Sequence, residues 1–123
     1  MLEHHYRELR LRGKNNTKRK LVLEFMDEKY DLLAEFIMSD LSQFRDEFEQ
    51  ELDAVLNGEL DKSDIRGNRC HLAIFPYYVI VYDDLAEDGI GQWCQADMDD
   101  FLDIIEEWDQ KSEEMRAREE QAS

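Results

Sequence analysis

One stretch of this chain admits little but β-structure: Gly67-Asn68-Arg69-Cys70-His71-Leu72-Ala73-Ile74-Phe75-Pro76-Tyr77-Tyr78-Val79-Ile80-Val81-Tyr82-Asp83-Asp84. Cys70, Leu72 and Ile74 alternate with Arg69, His71 and Ala73, the twofold period of a strand with one buried face. Tyr78 to Tyr82 are β-branched or aromatic throughout, the side chains that fit a pleated and largely buried surface. Pro76, the only proline in the chain, has no ladder donor and falls where a tight connection would separate the two runs. The reading is a hairpin of strands 69–75 and 78–82 at the centre of a small antiparallel sheet, with Ile80 in the core.

The rest of the chain has to cover that hairpin. From Asp27 the apolar positions Tyr30, Leu33, Phe36, Ile37, Leu41, Phe44, Phe48, Leu52, Val55 and Leu56 follow steps of three and four, the stripe of an amphipathic helix. Ser39-Asp40-Leu41-Ser42 interrupts it with cap-forming residues, which favours two helices, 27–38 and 41–56, over one continuous helix. Asn57-Gly58 closes the second. Residues 59–66 read as a polar linker to the hairpin. Beyond the hairpin, Gln92 to Ala96 is a candidate third strand. Asp97 starts a helix over 98–110 with an apolar stripe of Met98, Phe101, Leu102, Ile105 and Trp108, and the charged tail 111–123 extends it. The pattern predicts one α+β domain over residues 1–123, an antiparallel sheet with a central hairpin packed against two or three helices.

The N-terminal segment differs from the body in charge. Residues 1–20 carry seven basic residues against two acidic, a net of +5, whereas the whole chain carries −16 and residues 21–123 therefore −21. Weak alternation around Leu9 and Leu11, turn residues at Gly13-Lys14-Asn15-Asn16 and the run Leu21 to Phe25 predict a hairpin over 5–26, with a disordered basic arm as the alternative. We expect the basic segment to fold back onto the acidic body. His4 and His5 are sequence neighbours, and neighbours do not converge on one metal ion.

A net charge of −16 argues against direct binding to DNA, RNA or anionic membrane, each of which calls for Lys and Arg. It suits a basic protein partner, whose association opposite charge accelerates by about 10 to 1000 fold; the competing reading is that the charge serves solubility alone. The start Met1 to Arg7 lacks the apolar core of a signal peptide, and no apolar run is long enough to span a bilayer, so the expected location is cytoplasmic. Cys70 and Cys94 are then expected as reduced core residues rather than a bridge.

No pattern of catalytic residues rises above what composition supplies. There is no Gly-rich phosphate loop, His-Glu-x-x-His, Gly-x-Ser-x-Gly or Cys-x-x-Cys, and Cys70 and His71 alternate to opposite faces of a strand. The acidic segment 83–91 fails the calcium-loop template, because Asp83 as position 1 puts Leu85 at 3 and Gly89 at 7. The chain is therefore read as a non-enzyme without cofactor or metal. Phe36, Phe44, Phe48, Phe101 and Trp108 lie at core spacing. Tyr77, Tyr78, Tyr82 and Trp93 occupy or flank the hairpin beside carboxylates, the make-up of an interface anchor; Tyr77 and Trp93 are balanced between interface and core.

The elements Val55-Leu56-x-Gly58, Gly67-Asn68-x-Cys70-x-Leu72-x-Ile74, Tyr82-Asp83-x-Leu85-x-x-Asp88-Gly89-x-Gly91-x-x-Cys94 and Phe101-x-x-x-Ile105-x-x-Trp108 together resemble a pattern of small acidic bacterial immunity proteins, the cognate inhibitors of polymorphic or contact-dependent toxins. The resemblance implies toxin neutralisation and no catalysis. Basic, nucleic-acid-cleaving toxins fit the charge, because an acidic protein with aromatic anchors complements a phosphate-binding site. The residues expected to bind the partner are Asp83, Asp84, Glu87, Asp88, Asp100 and Asp103, with Trp93 as anchor. A phage-type inhibitor of a nucleic-acid enzyme, as a DNA mimic or anti-CRISPR protein, and an acidic adaptor are the alternatives.

Overall fold

The computed structural model describes residues 2–12, 17–84 and 93–121. Strands β1 (His4–Arg12) and β2 (Thr17–Phe25) pair antiparallel as a two-stranded sheet with His4 opposite Phe25. A 3-10 turn (Glu28–Tyr30), helix α1 (Asp31–Glu35) and a π-helical turn (Phe36–Asp40) lead to helix α2 (Arg45–Leu56). A second sheet follows as a meander in the order β3 (Ser63–Arg66), β4 (Cys70–Ile74), β5 (Tyr78–Asp83), β6 (Trp93–Asp97), and helix α3 (Met98–Gln121) ends the described chain. This is the α+β architecture the pattern predicts. Among the described residues no helix is long and apolar enough to cross a membrane.

The central hairpin forms as expected, with Pro76-Tyr77 as a two-residue connection closed by Phe75 N donating to Tyr78 O at 2.9 Å. The assignment of Ile80 to the core is corrected. Val79 and Val81 are the fully buried residues of β5, and Ile80 is half-buried on the other side of the strand. An unbroken apolar run carries no parity of its own, so only the pairing reveals which half of it faces the helices. The polar linker is corrected too. Ser63–Arg66 is an edge strand held by the burial of Ile65 opposite Leu72, a single apolar residue among charges that gives almost no period to detect.

The predicted interruption of the long apolar stripe is real, although the second helix begins at Arg45 instead of residue 41. Leu41 N donates to Phe36 O at 3.0 Å, five residues back, which widens the last turn. Asp40 is consequently not a cap. It is 2% exposed, and its Oδ2 accepts the backbone N–H of Cys70 at 2.9 Å and of Arg69 at 3.3 Å, tying the turn to the β3–β4 connection. At the far end of α2, Gly58 adopts φ +81°, Gly58 N donates to Val55 O and Glu59 N to Ala54 O, the paired bonds of a Schellman stop.

One apolar cluster joins β2, the α1 segment, α2, the inner face of the four-stranded sheet and α3. Phe48 stands at its middle, 6.5 Å from the Phe36 ring and 5.9 Å from that of Phe101. Cys70 and Cys94 are buried free thiols within it. The basic hairpin lies along α3. His4 bonds Glu107 at 2.7 Å, Tyr6 packs on Trp108, Arg118 pairs with Glu8, and Arg19 N donates to Glu119 at 3.1 Å. His5 turns the other way, to Glu24. The turn predicted at Gly13–Asn16 lies outside the described residues.

Candidate functional site

Strand alternation divides the four-stranded sheet into two faces, and the inner one is spent on the core. The register then composes the outer face in rows. Arg66, His71, Tyr82 and Trp93 stand in line across all four strands; Asp64, Ala73, Ile80 and Gln95 form the next row. At the hairpin end Phe75 stacks on Tyr78 at 4.7 Å under Lys62 Nζ, and Tyr78 is opposite Asp97. A solvated sheet face ordinarily carries polar side chains. This one presents Phe75, Tyr78, Ile80, Tyr82 and Trp93, the composition of an interface centre.

The Trp93 end of the face is the best-defined part. Trp93 is 62% exposed and is the Cα partner of Tyr82 on the neighbouring strand. The His71 ring stacks on Tyr82 with centroids 4.5 Å apart and an interplanar angle of 16°. Asp84 Oδ1 stands 2.7 Å from His71 Nδ1 and fixes the ring in that stack. The result is an aromatic ledge with a carboxylate at its rim. Such a ledge offers large contact area at little entropic cost, because aromatic side chains have few rotamers to lose.

The expected partner-binding residues thus separate. Asp84 and Trp93 come together on the ledge. Asp83 follows Val79 and Val81 in alternation and pairs with Cys70, so it belongs to the opposite side of the strand end. There it and Asp40 add to the burial that pushes the Cys70 thiol up to about 12. Asp100 and Asp103 line a small pit with Leu2, His4, Ile104 and Glu107 along the seam between α3 and the N-terminal strand. Glu87 and Asp88 lie outside the described residues. Tyr77, at the hairpin tip, is 84% exposed.

Sequence reasoning singled out Tyr82 and Trp93 but did not join them to His71, Phe75, Tyr78 and Ile80 as one surface. A signal existed. Taking Cys70, Leu72 and Ile74 as inward leaves His71, Ala73 and Phe75 outward, and an outward set that poor in charge is itself unusual for a solvated face. Among the described residues no group of three or more His, Cys, Asp or Glu side chains is arranged to hold a metal ion.

Comparison with known proteins adds one relationship. A curated protein of Bacillus cereus named "Immunity protein" is 33% identical over 100 residues, which make up 81% of this chain and 85% of that protein. No family model matches the chain. No solved structure matches it either.

Proposed function

The chain belongs to the immunity-protein family represented by that Bacillus cereus relative, and from this we propose that it neutralises a basic, nucleic-acid-cleaving toxin by binding it, without catalysis of its own. The observation that carries the reading is the aromatic ledge of His71, Tyr82 and the exposed Trp93, rimmed by Asp84, on a protein of net charge −16. Trp93 acts as the anchor that a pocket on the toxin receives. Asp84 at the rim, with Glu87 and Asp88 a few positions on in sequence, supplies carboxylates for cations otherwise used to hold phosphates. Asp83, Asp100 and Asp103 contribute to the field that steers the two proteins together.

The experiment is to capture the toxin from the native cell, identify it by its cleavage of nucleic acid, and measure association at two ionic strengths. Wild type is expected to associate more slowly at the higher salt, and the triple variant D84N/E87Q/D88N to associate more slowly than wild type with a weaker salt dependence. Association indifferent to salt, or a triple variant that binds and protects as wild type does, would overturn the acidic-rim mechanism. The charge would then serve solubility.

A further inference from the structure

The four-stranded sheet ends in two unlike edges, and its hydrogen-bond parity fixes which backbone groups each edge presents. Asp84 N donates to Arg69 O at 3.0 Å and Phe75 N to Tyr78 O at 2.9 Å, so the even-numbered residues of β5 bond to β4; Met98 N donates to Tyr77 O at 2.9 Å, so the odd-numbered ones bond to β6. Between bonded pairs, an antiparallel strand turns its N–H and C=O groups away from its neighbour. On β6 the residues so turned are Trp93, Gln95 and Asp97; the Asp97 carbonyl is taken by the first turn of α3, which leaves the three outward N–H groups and the carbonyls of Trp93 and Gln95 as the edge. The opposite edge shows the same geometry with different chemistry. Gly67 N donates to Cys70 O at 2.8 Å, which turns Asp64 and Arg66 outward on β3.

Those outward residues of β3 are both charged, the strand is four residues long, and Lys62 pairs with Asp64 at 3.6 Å. Short, charged edges are how proteins keep strands from pairing. β6 has none of that protection from Trp93 to Ala96: Trp, Cys, Gln and Ala are uncharged, and no proline interrupts them.

We infer that β6 is the edge on which the toxin adds a strand, and that the added strand is an extended, cationic segment; this rests on the toxin-binding reading above. Main-chain bonds to Trp93, Gln95 and Asp97 give such a complex its alignment. The side-chain rows give it selectivity. A residue opposite Trp93 continues the row of His71 and Tyr82, and a Lys or Arg opposite Asp97 meets its carboxylate. Charge selects this occupant over a second copy of the chain. Pairing β6 with itself brings two proteins of net charge −16 edge to edge, whereas a cationic strand is drawn to the same edge.

The test uses the full chain and the toxin's catalytic domain in an inactive form. Amide exchange of Trp93, Gln95 and Asp97 is followed by NMR with and without the domain, and the already bonded amides of Cys94 and Ala96 serve as reference. Slowing of the three outward amides by about tenfold or more, in the complex alone, is the expected result. A complex that leaves them exchanging at the free rate overturns strand addition while the toxin-binding reading stands. Failure to form any complex sinks that reading and this inference with it. Protection that grows with the chain's own concentration makes the occupant a second copy, and also overturns the proposal.

A backbone variant gives a separate readout. Gln95→Pro removes an outward N–H without removing a bond to β5, and proline is tolerated on an edge whose donor faces outward. Affinity is expected to fall about tenfold or more for Gln95→Pro and to change less than about threefold for Gln95→Ala, which keeps the donor. Thermal melting of both variants establishes that they fold, and the exchange result on wild type stands whatever the proline does.

Discussion

The carboxylate of Asp40 fills the space that a side chain on Gly67 would need. A Cβ at Gly67 would stand 2.5 Å from Asp40 Oδ2, the same oxygen that accepts the Cys70 N–H at 2.9 Å. Glycine is required here for approach and not for a left-handed backbone. Gly67→Ala is expected to displace the carboxylate and cost about 1 to 3 kcal/mol, and Asp40→Ala to cost a similar amount by leaving the buried Cys70 donor unpaired. Asp40→Asn, which keeps an acceptor oxygen, should cost less. Urea midpoints of the three variants check the order, and a neutral Gly67→Ala would show that Asp40 is not held where the bond needs it.

Parity within β5 makes a second prediction. Val79 and Val81 are fully buried, and each loses roughly 2 to 3 kcal/mol on truncation to Ala from lost transfer energy and the cavity left behind. Ile80 is larger but half-buried on the outer face, and Ile80→Ala should cost less than either valine. Denaturant titrations of the three variants decide it. A reversed order would mean that the sheet presents its other face to the helices.

The docking of the basic hairpin can be divided by magnitude. Glu8 lies between Arg19 and Arg118, but exposed pairs of this kind contribute about 0 to 1 kcal/mol. Leu23 is 1% exposed within the core. Leu23→Ala is expected to cost about 2 to 5 kcal/mol, and Glu8→Gln under about 1. If added salt unfolds the hairpin while Leu23→Ala is mild, charge holds it and not apolar burial.

The thiols give a pH prediction. Burial pushes Cys70 up to about 12 and Cys94 up to about 11, from an ordinary value of 9.0. A folded pKa above the unfolded one stabilises the fold fully below the unfolded value, and that contribution is lost as pH rises through about 9 towards the folded values. Stability should therefore fall on the alkaline side over this window, and fall less in a Cys70→Ala/Cys94→Ala variant measured against its own neutral-pH value. Thiol titration of the native protein should be slow at neutral pH.

Trp93 separates binding from stability. It is largely exposed, so Trp93→Ala should change the unfolding free energy by less than about 1 kcal/mol. On the function proposed above, its loss should speed dissociation from the toxin by about tenfold or more with little change in association. Stopped-flow and dissociation kinetics check both rates. An unchanged dissociation rate removes Trp93 from the interface.

Much of the fold was legible because it is written as period. Twofold alternation from Cys70 to Ile74, steps of three and four from Leu33 to Val55, and the stripe from Met98 to Ile105 mark helices and strands with their buried sides, although Leu56, which the same spacing puts on the stripe, is exposed. The charge contrast between residues 1–20 and the rest, +5 against −21, points only to a basic segment folded back on an acidic body; that the segment meets α3, through His4–Glu107 and Glu8–Arg118, is read from the structure. What period could not encode was pairing. Ser63–Arg66 is a strand because Ile65 meets Leu72, a partner supplied by another segment.

The sequence by itself therefore determined the kinds of element, the identity of most core residues and a strongly acidic net charge, since these depend on local spacing and composition. The tertiary structure alone decided which face of β5 is inner, why Asp40 is buried, and that Arg66, His71, Tyr82 and Trp93 line up across four strands into one surface. The reason is physical. Register, and with it every cross-strand neighbour, is set by how whole faces bury against one another, a relation between distant segments that no single stretch of chain contains.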